Sequence, residues 1–183
     1  MYRVPLALLA ASLAFTASAN TPVYDSNVTG REVLAAQTAW CVALVAISAA
    51  GEKQGLAAAK RLAGEVIDAA YGYDLGPVLF KPTLAAAPQT FRTTRDGALS
   101  YFVGGDPDFR QDSGFALKGW TGCRVQNAAM HISGDVATTM GNVILTGKDG
   151  NLTTVDKTWK FKKGDDGKLR IVVHHSSLPY GAS

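Results

Sequence analysis

The sequence predicts a single α+β domain in which N-terminal helices pack on a strongly curved antiparallel β-sheet. Apolar residues recur at helical spacing over 31–71, whereas four long segments from 122 onward alternate and are divided by Gly/Asp turn signals. A Gly- and Pro-rich stretch separates the two regimes. Helices first and a meander after is an α+β order, and two helices over one face of a twisted meander enclose a cone with an apolar interior.

The first 19 residues read as a leader. Arg3 gives a positive start, Leu6 to Phe15 form a short apolar stretch, and Ala17-Ser18-Ala19 fits a small-residue cleavage site, so a mature domain of 20–183 beginning at Asn20 is expected. The apolar stretch falls short of the about 20 residues that span a bilayer.

A helix is predicted over 31–50, with Thr29 as cap, Glu32 in its first turn and Gly51 as its end. Gln37 and Thr38 make this segment a poor lipid span. A second helix over 54–71 carries Leu56, Ala59, Ala63, Val66, Ile67 and Ala70 on one stripe. Residues 78–83 form a short strand that Pro82 and Pro88 restrict to an edge or a strand end. Asp96 is placed to cap a brief helix over 97–103 that Gly104-Gly105 closes, with a hairpin through Asp96-Gly97 as the rival reading. Residues 104–119 are loop-like and long enough to border a functional opening. Strands follow at 122–132, 136–146, 152–163 and 169–177.

The formal net charge of +3 becomes +2 when Arg3 leaves with the leader, and the basic residues are scattered. No stripe suited to nucleic acid results, and no membrane partner is expected. The densest basic stretch, Lys157 to Lys168, contains Asp165 and Asp166 and reads as a solvated hairpin. The two cysteines, Cys41 and Cys123, can pair in an oxidising compartment or sit as buried free thiols.

The last strand, Leu169 to Ser177, begins apolar and ends in His174-His175-Ser176-Ser177. Alternation places His174 and Ser176 on one face and His175 and Ser177 on the other. A solvated exit into a loop has this composition, and so does the polar end of a cone.

The ending His174-His175-Ser176-Ser177-Leu178-Pro179 is accompanied by Thr154-Val155-Asp156-Lys157-Thr158-Trp159, Lys81-Pro82-Thr83 and Gly97-Ala98-Leu99-Ser100-Tyr101-Phe102-Val103-Gly104-Gly105. Together these closely resemble the iota class of carbonic anhydrases, which are domains of the NTF2-like (SnoaL-like) superfamily, and the likeness runs from about Arg31 to Pro179. The resemblance implies an NTF2-like cone and reversible hydration of carbon dioxide, with Thr83, Tyr101 and Ser176 lining the cone and binding bicarbonate. It also implies a homodimer formed through the outer face of the sheet. Ser177, adjacent in the closing motif, is counted with them as a substrate-binding candidate. Members of the class have been described as metal-free and as metal-assisted.

The residues address the cofactor separately. A catalytic zinc ion takes three protein ligands, commonly histidines. The histidines are His131, His174 and His175, and the last two point to opposite faces of a regular strand unless a bulge intervenes. A site without metal is therefore favoured and zinc disfavoured. Without a metal, the hydroxyls of Thr83, Tyr101 and Ser176 would orient water and stabilise the developing oxyanion. His174 is either the proton acceptor or a residue that orients Ser176 or Tyr101 by hydrogen bonding. His131, mid-strand, reads as structural, and Trp120, Trp159, Phe80 and Phe161 as core or pocket wall. Two other readings stay open: a lyase, isomerase or hydrolase acting on a larger small molecule, and a non-catalytic assembly module. The leader points to a periplasmic or secreted location.

Overall fold

The computed structural model describes residues 25–181; the predicted leader and its cleavage site lie outside the described residues. Helix α1 (Gly30–Gln54) opens on a reciprocal cap, in which the Glu32 amide donates to the Thr29 hydroxyl and the Thr29 amide donates to the Glu32 carboxylate at 2.7 Å. Lys163 donates to the same carboxylate at 2.8 Å, and these partners hold Glu32 at a pKa of about 2.

Gly51 does not end this helix. It lies inside it, where a Cβ would meet Leu117 at 2.7 Å, so its missing side chain serves close packing, and the break falls at Gly55 with φ 85°. Helix α2 (Leu56–Ala70) follows and packs on α1. Length and composition would let α1 cross a bilayer, but it buries Val33, Gln37, Trp40, Cys41, Leu44, Ile47 and Ser48 against the rest of the domain.

Strand β1 (Leu79–Lys81) precedes α3 (Arg95–Val103), then β2 (Gly122–Ser133), β3 (Val136–Thr146), β4 (Leu152–Lys163) and β5 (Leu169–Ser177). The spatial order is β1-β5-β4-β3-β2. The four long strands form the expected antiparallel meander, but β1 pairs with β5 in parallel, with Phe80 opposite His174, so the sheet is mixed. The prolines do confine β1 to the edge, as expected.

Thr94, not Asp96, caps α3: its hydroxyl accepts from the Gly97 amide at 3.2 Å. Gly104 closes that helix at φ 67°, and a Cβ there would come within 3.1 Å of the Asp112 carbonyl. The following loop is folded back on α3 by a buried ion pair, in which Arg92 Nη2 donates to Asp112 at 2.6 Å while the guanidinium stacks on Phe109. Phe115 from this loop then stacks on Tyr101 with ring centres 5.4 Å apart. The loop therefore fixes a candidate site residue.

Cys41 and Cys123 are joined in a disulfide that ties α1 to β2, with Cα atoms 5.2 Å apart. The core lies between the helices and the concave face of the sheet, where Trp40, Leu44, Ile67, Phe80, Trp159 and Phe161 meet.

Candidate functional site at the polar end of the cone

The concave face of the sheet presents its side chains in rows set by strand register. One inward row runs Phe80, His174, Trp159, Thr139 across β1, β5, β4 and β3. The next runs Ser176, Lys157, Gly141, Asn127 across β5, β4, β3 and β2. A bulge at Val172 opposite Lys160 and Phe161 lets both Ile171 and His174 face inward, three residues apart. Regular alternation resumes beyond it, so His174 and Ser176 are buried while His175 is exposed.

Ser176 and Thr83 meet with their hydroxyl oxygens 2.7 Å apart. Lys81 donates to the Ser176 carbonyl at 3.0 Å, which ties β1 to the end of β5. Tyr101 comes from α3 and packs edge-on against Phe80 at 5.5 Å. Burial raises its phenol above the usual tyrosine range, an effect that the neighbouring Leu84 backbone and Thr83 partly offset, yet its hydroxyl completes no well-aligned hydrogen bond. A buried hydroxyl without a partner costs about 1–3 kcal/mol, so a ligand oxygen placed beside this one would recover that cost. Thr83 in the turn after β1 therefore touches Ser176 of β5 and adjoins Tyr101 of α3.

A second set of polar groups lies behind them. Trp40 Nε1 donates to the Tyr71 hydroxyl at 3.0 Å, that hydroxyl lies 2.8 Å from His174 Nδ1, and His174 Nε2 lies 2.6 Å from Lys157 Nζ. The imidazole is clamped between rings, with Phe80 stacked 4.2 Å away and Tyr71 5.9 Å away. Burial pushes the His174 pKa well below its ordinary value, and the adjacent Lys157 pushes it the same way. Burial alone lowers the Lys157 pKa to about 7, although the ammonium form would sit over the faces of Trp40 and Trp159 at 5.1 and 5.3 Å.

The structure separates the remaining candidates from this place. Ser177 pairs with Asp156 on the outer face and does not join Ser176, because consecutive strand residues point opposite ways. His175 is outward too, and His131 is exposed on β2 at the far edge of the sheet, so the three histidines do not converge. Among the described residues no cluster of three or more metal-ligating side chains occurs.

Lys157, Tyr71 and Trp40 were not singled out from the sequence. Lys157 in particular is buried, contrary to the solvated hairpin expected for its stretch. Its signal was positional: it occupies the inward parity of β4 between Val155 and Trp159.

Two apolar cavities lie among the core elements, and the larger, about 270 Å³, is lined by Ala36, Trp40, Val66, Ala70, Phe161 and Ile171. The cavity lined by Trp40, Leu44, Ile47, Ala63, Val66, Ile67, Tyr71 and Phe102 measures about 10 Å³, close to a single water. A larger groove of about 340 Å³ runs by Met140, Asp156, Thr158, His175 and Ser177 on the sheet exterior and also borders Lys157 and Ser176.

Apolar walls with three hydroxyls at one end define an α+β cone-shaped domain with a polar corner. The chain belongs to the metal-independent carbonic anhydrase family, whose model matches residues 31–178. A curated relative, the metal-independent carbonic anhydrase of Nostoc sp. strain PCC 7120, is 62% identical over 165 residues, which cover 90% of this chain and 80% of that protein. The crystal structure of a cyanobacterial iota-carbonic anhydrase complexed with bicarbonate superposes with a TM-score of 0.87 at 61% identity, over 89% of this chain and 99% of that one. A solved chain from Xanthomonas campestris, 21% identical, shares the fold alone, at a TM-score of 0.54 over 93% of this chain and 100% of its own. Family membership agrees with the metal-free expectation and with the fold expected from the resemblance.

Proposed function

We propose that this chain catalyses the reversible hydration of carbon dioxide to bicarbonate and a proton, without metal, with Thr83, Tyr101 and Ser176 as the residues that hold the reacting oxygens. The carrying observation is the Thr83–Ser176 hydroxyl pair at 2.7 Å beside the unpartnered, buried hydroxyl of Tyr101. Three hydroxyls can accept a water's hydrogen or donate to an oxygen that gains charge, which is what C–O bond formation on carbon dioxide demands. Aromatic and aliphatic walls suit the apolar substrate. The bicarbonate bound in the cyanobacterial relative supports the same substrate class.

His174 orients the site in this reading. Both of its ring nitrogens are engaged, by Tyr71 and by Lys157, so neither is free to take a proton from water directly. Stopped-flow hydration of carbon dioxide by Thr83→Val and Tyr101→Phe tests the assignment. Each variant should lose about 10²-fold in kcat, as when one oxyanion donor is removed, and wild-type rates in both would end it.

Export and pairing complete the proposal. The leader features of residues 1–19 and the Cys41–Cys123 disulfide both suit a single mature domain in the periplasm or outside the cell. Mass spectrometry of the purified, natively expressed protein should give a chain that starts at Asn20. A homodimer through the outer face of the sheet is supported by the exposed Met140, 62% accessible, beside the groove on that face. Light scattering should show two copies, and Met140→Lys should reduce them to one.

A further inference from the structure

We propose that Lys157 is the proton acceptor of the hydration step, its neutral amine taking the proton that water loses as the new C–O bond forms. The inference rests on the Thr83–Tyr101–Ser176 pocket being the hydration site, and it starts from position. Lys157 stands directly across from Ser176 on the neighbouring strand and on the same inward face. Cβ atoms of such a pair are about 4.5–5.5 Å apart, so the lysine stem rises beside the serine hydroxyl. Its amine has one hydrogen-bond partner, His174 Nε2 at 2.6 Å, which leaves further positions on the nitrogen uncommitted.

The hydrogen-bond chain behind it has a direction. Trp40 Nε1 can only donate, and it donates to the Tyr71 oxygen. The Tyr71 proton then has His174 Nδ1 as its acceptor, so a neutral imidazole carries its own proton on Nε2, facing Lys157. Nζ accepts that proton with its lone pair, which requires the uncharged amine. Protonation of Lys157 reverses the two links on His174: Nζ donates to Nε2, the imidazole proton moves to Nδ1, and the Tyr71 oxygen accepts it alongside the Trp40 N–H. The two states differ by one proton and by the His174 tautomer.

Few charges disturb this pair. His174 and Ser176 face Lys157 from β5, Trp40 and Gln37 lie inward on α1, Tyr71 follows α2, Tyr101 comes from α3, and β3 offers Thr139 and Gly141. Asp156, Thr158 and His175 project from the opposite face. Burial in these surroundings holds the lysine at about 7, where an amine is an efficient base near neutrality.

The step balances. A water oxygen forms a bond to the carbon, one C=O electron pair moves onto oxygen against the three hydroxyls, and the water proton passes to Nζ. Bicarbonate and an ammonium result; the ammonium then loses its proton to solvent buffer, and dehydration runs the same steps backwards.

Three measurements on the intact protein test this. In stopped flow, kcat/KM for hydration should rise with pH through about 7 in the wild type. Lys157→Met should lose that inflection and fall at least about 10²-fold, while carbon-13 NMR still detects bound bicarbonate. Lys157→Arg, which keeps charge but cannot act as a base, should be equally slow. Long-range proton–nitrogen NMR of wild-type His174 should show Nε2–H at about pH 8.5 and Nδ1–H at about pH 5.5. A wild-type pH profile in Lys157→Met, full activity in Lys157→Arg, or one unchanging His174 tautomer would overturn the proposal, and the last test needs no variant to fold. Ser176→Ala separates the two readings: undiminished activity there removes the pocket, whereas the tautomer switch in that variant still reports on Lys157.

Discussion

The two faces of strands β4 and β5 carry similar residues in opposite conditions. Inward lie Lys157, Trp159, His174 and Ser176, all buried; outward lie Asp156, Lys160, His175 and Ser177, exposed or half-buried. Each face has an imidazole, a serine and a lysine, so residue type does not separate the site from the surface. Desolvation does. It moves Lys157 to about 7 and His174 well below its ordinary value, and it leaves a hydroxyl in the same interior without a partner. A histidine and a serine become candidates for chemistry here by parity on a strand, one residue at a time.

The sharpest way to break the comparison is through packing. Trp159 is 1% accessible and contacts Trp40, Phe161 and His174, so Trp159→Ala should cost about 3–5 kcal/mol. Lys160→Ala, one position along and outward, should stay within about 0.5 kcal/mol. Urea denaturation of both variants checks the pair, and equal losses would contradict the inward and outward assignment.

The next largest effect is catalytic. Ser176→Ala removes the partner of Thr83 and one of the three hydroxyls, and hydration kcat should fall about 10²-fold, equivalent to about 2.7 kcal/mol. Stopped-flow rates at fixed pH measure it, with circular dichroism to confirm that the domain is folded.

Parity is also why much of the molecule was legible in advance. Strand alternation over 169–177 placed His174 and Ser176 together, and the turn signals set all four long strands within a residue or so. Thr83 and Tyr101 came from resemblance to a family rather than from pattern, since nothing local tells a threonine beside a proline that it will meet β5. The parallel pairing of β1 was not legible for the same reason: it joins segments about ninety residues apart in the chain, Leu79 to Val173. Gly51 looked like a helix end because glycine commonly is one, and only the tertiary approach of Leu117 explains it. Lys157 was hidden by composition, as a lysine in a basic stretch reads as solvated, whereas its inward parity would have flagged it.

A smaller effect follows from the buried lysine and sharpens the contrast with Lys160. The folded-state pKa of Lys157 lies near 7 against 10.5 for an ordinary lysine, so between those values the unfolded chain binds a proton that the folded one does not. Stability therefore rises with pH through that window, and below about 7 both states carry the charge and the full burial penalty remains. Melting temperatures measured from about pH 6.5 to 9.5 should climb in the wild type and lose this component in Lys157→Met. Lys160→Met should leave the slope as it is.

The smallest expected effect belongs to Ser177, and it is the most direct test of parity itself. Ser177 is the immediate neighbour of Ser176 and shares its closing motif, yet it pairs with Asp156 on the outer face beside the exterior groove. Truncating its hydroxyl removes nothing from the Thr83–Ser176 pair and leaves the strand backbone intact. Hydration rates of Ser177→Ala should therefore stay within about twofold of wild type, well below 1 kcal/mol on the barrier. A loss as large as that of Ser176→Ala would mean that the strand end twists both serines toward the cone, and the division between a reacting face and an outer face would have to stop before Ser176.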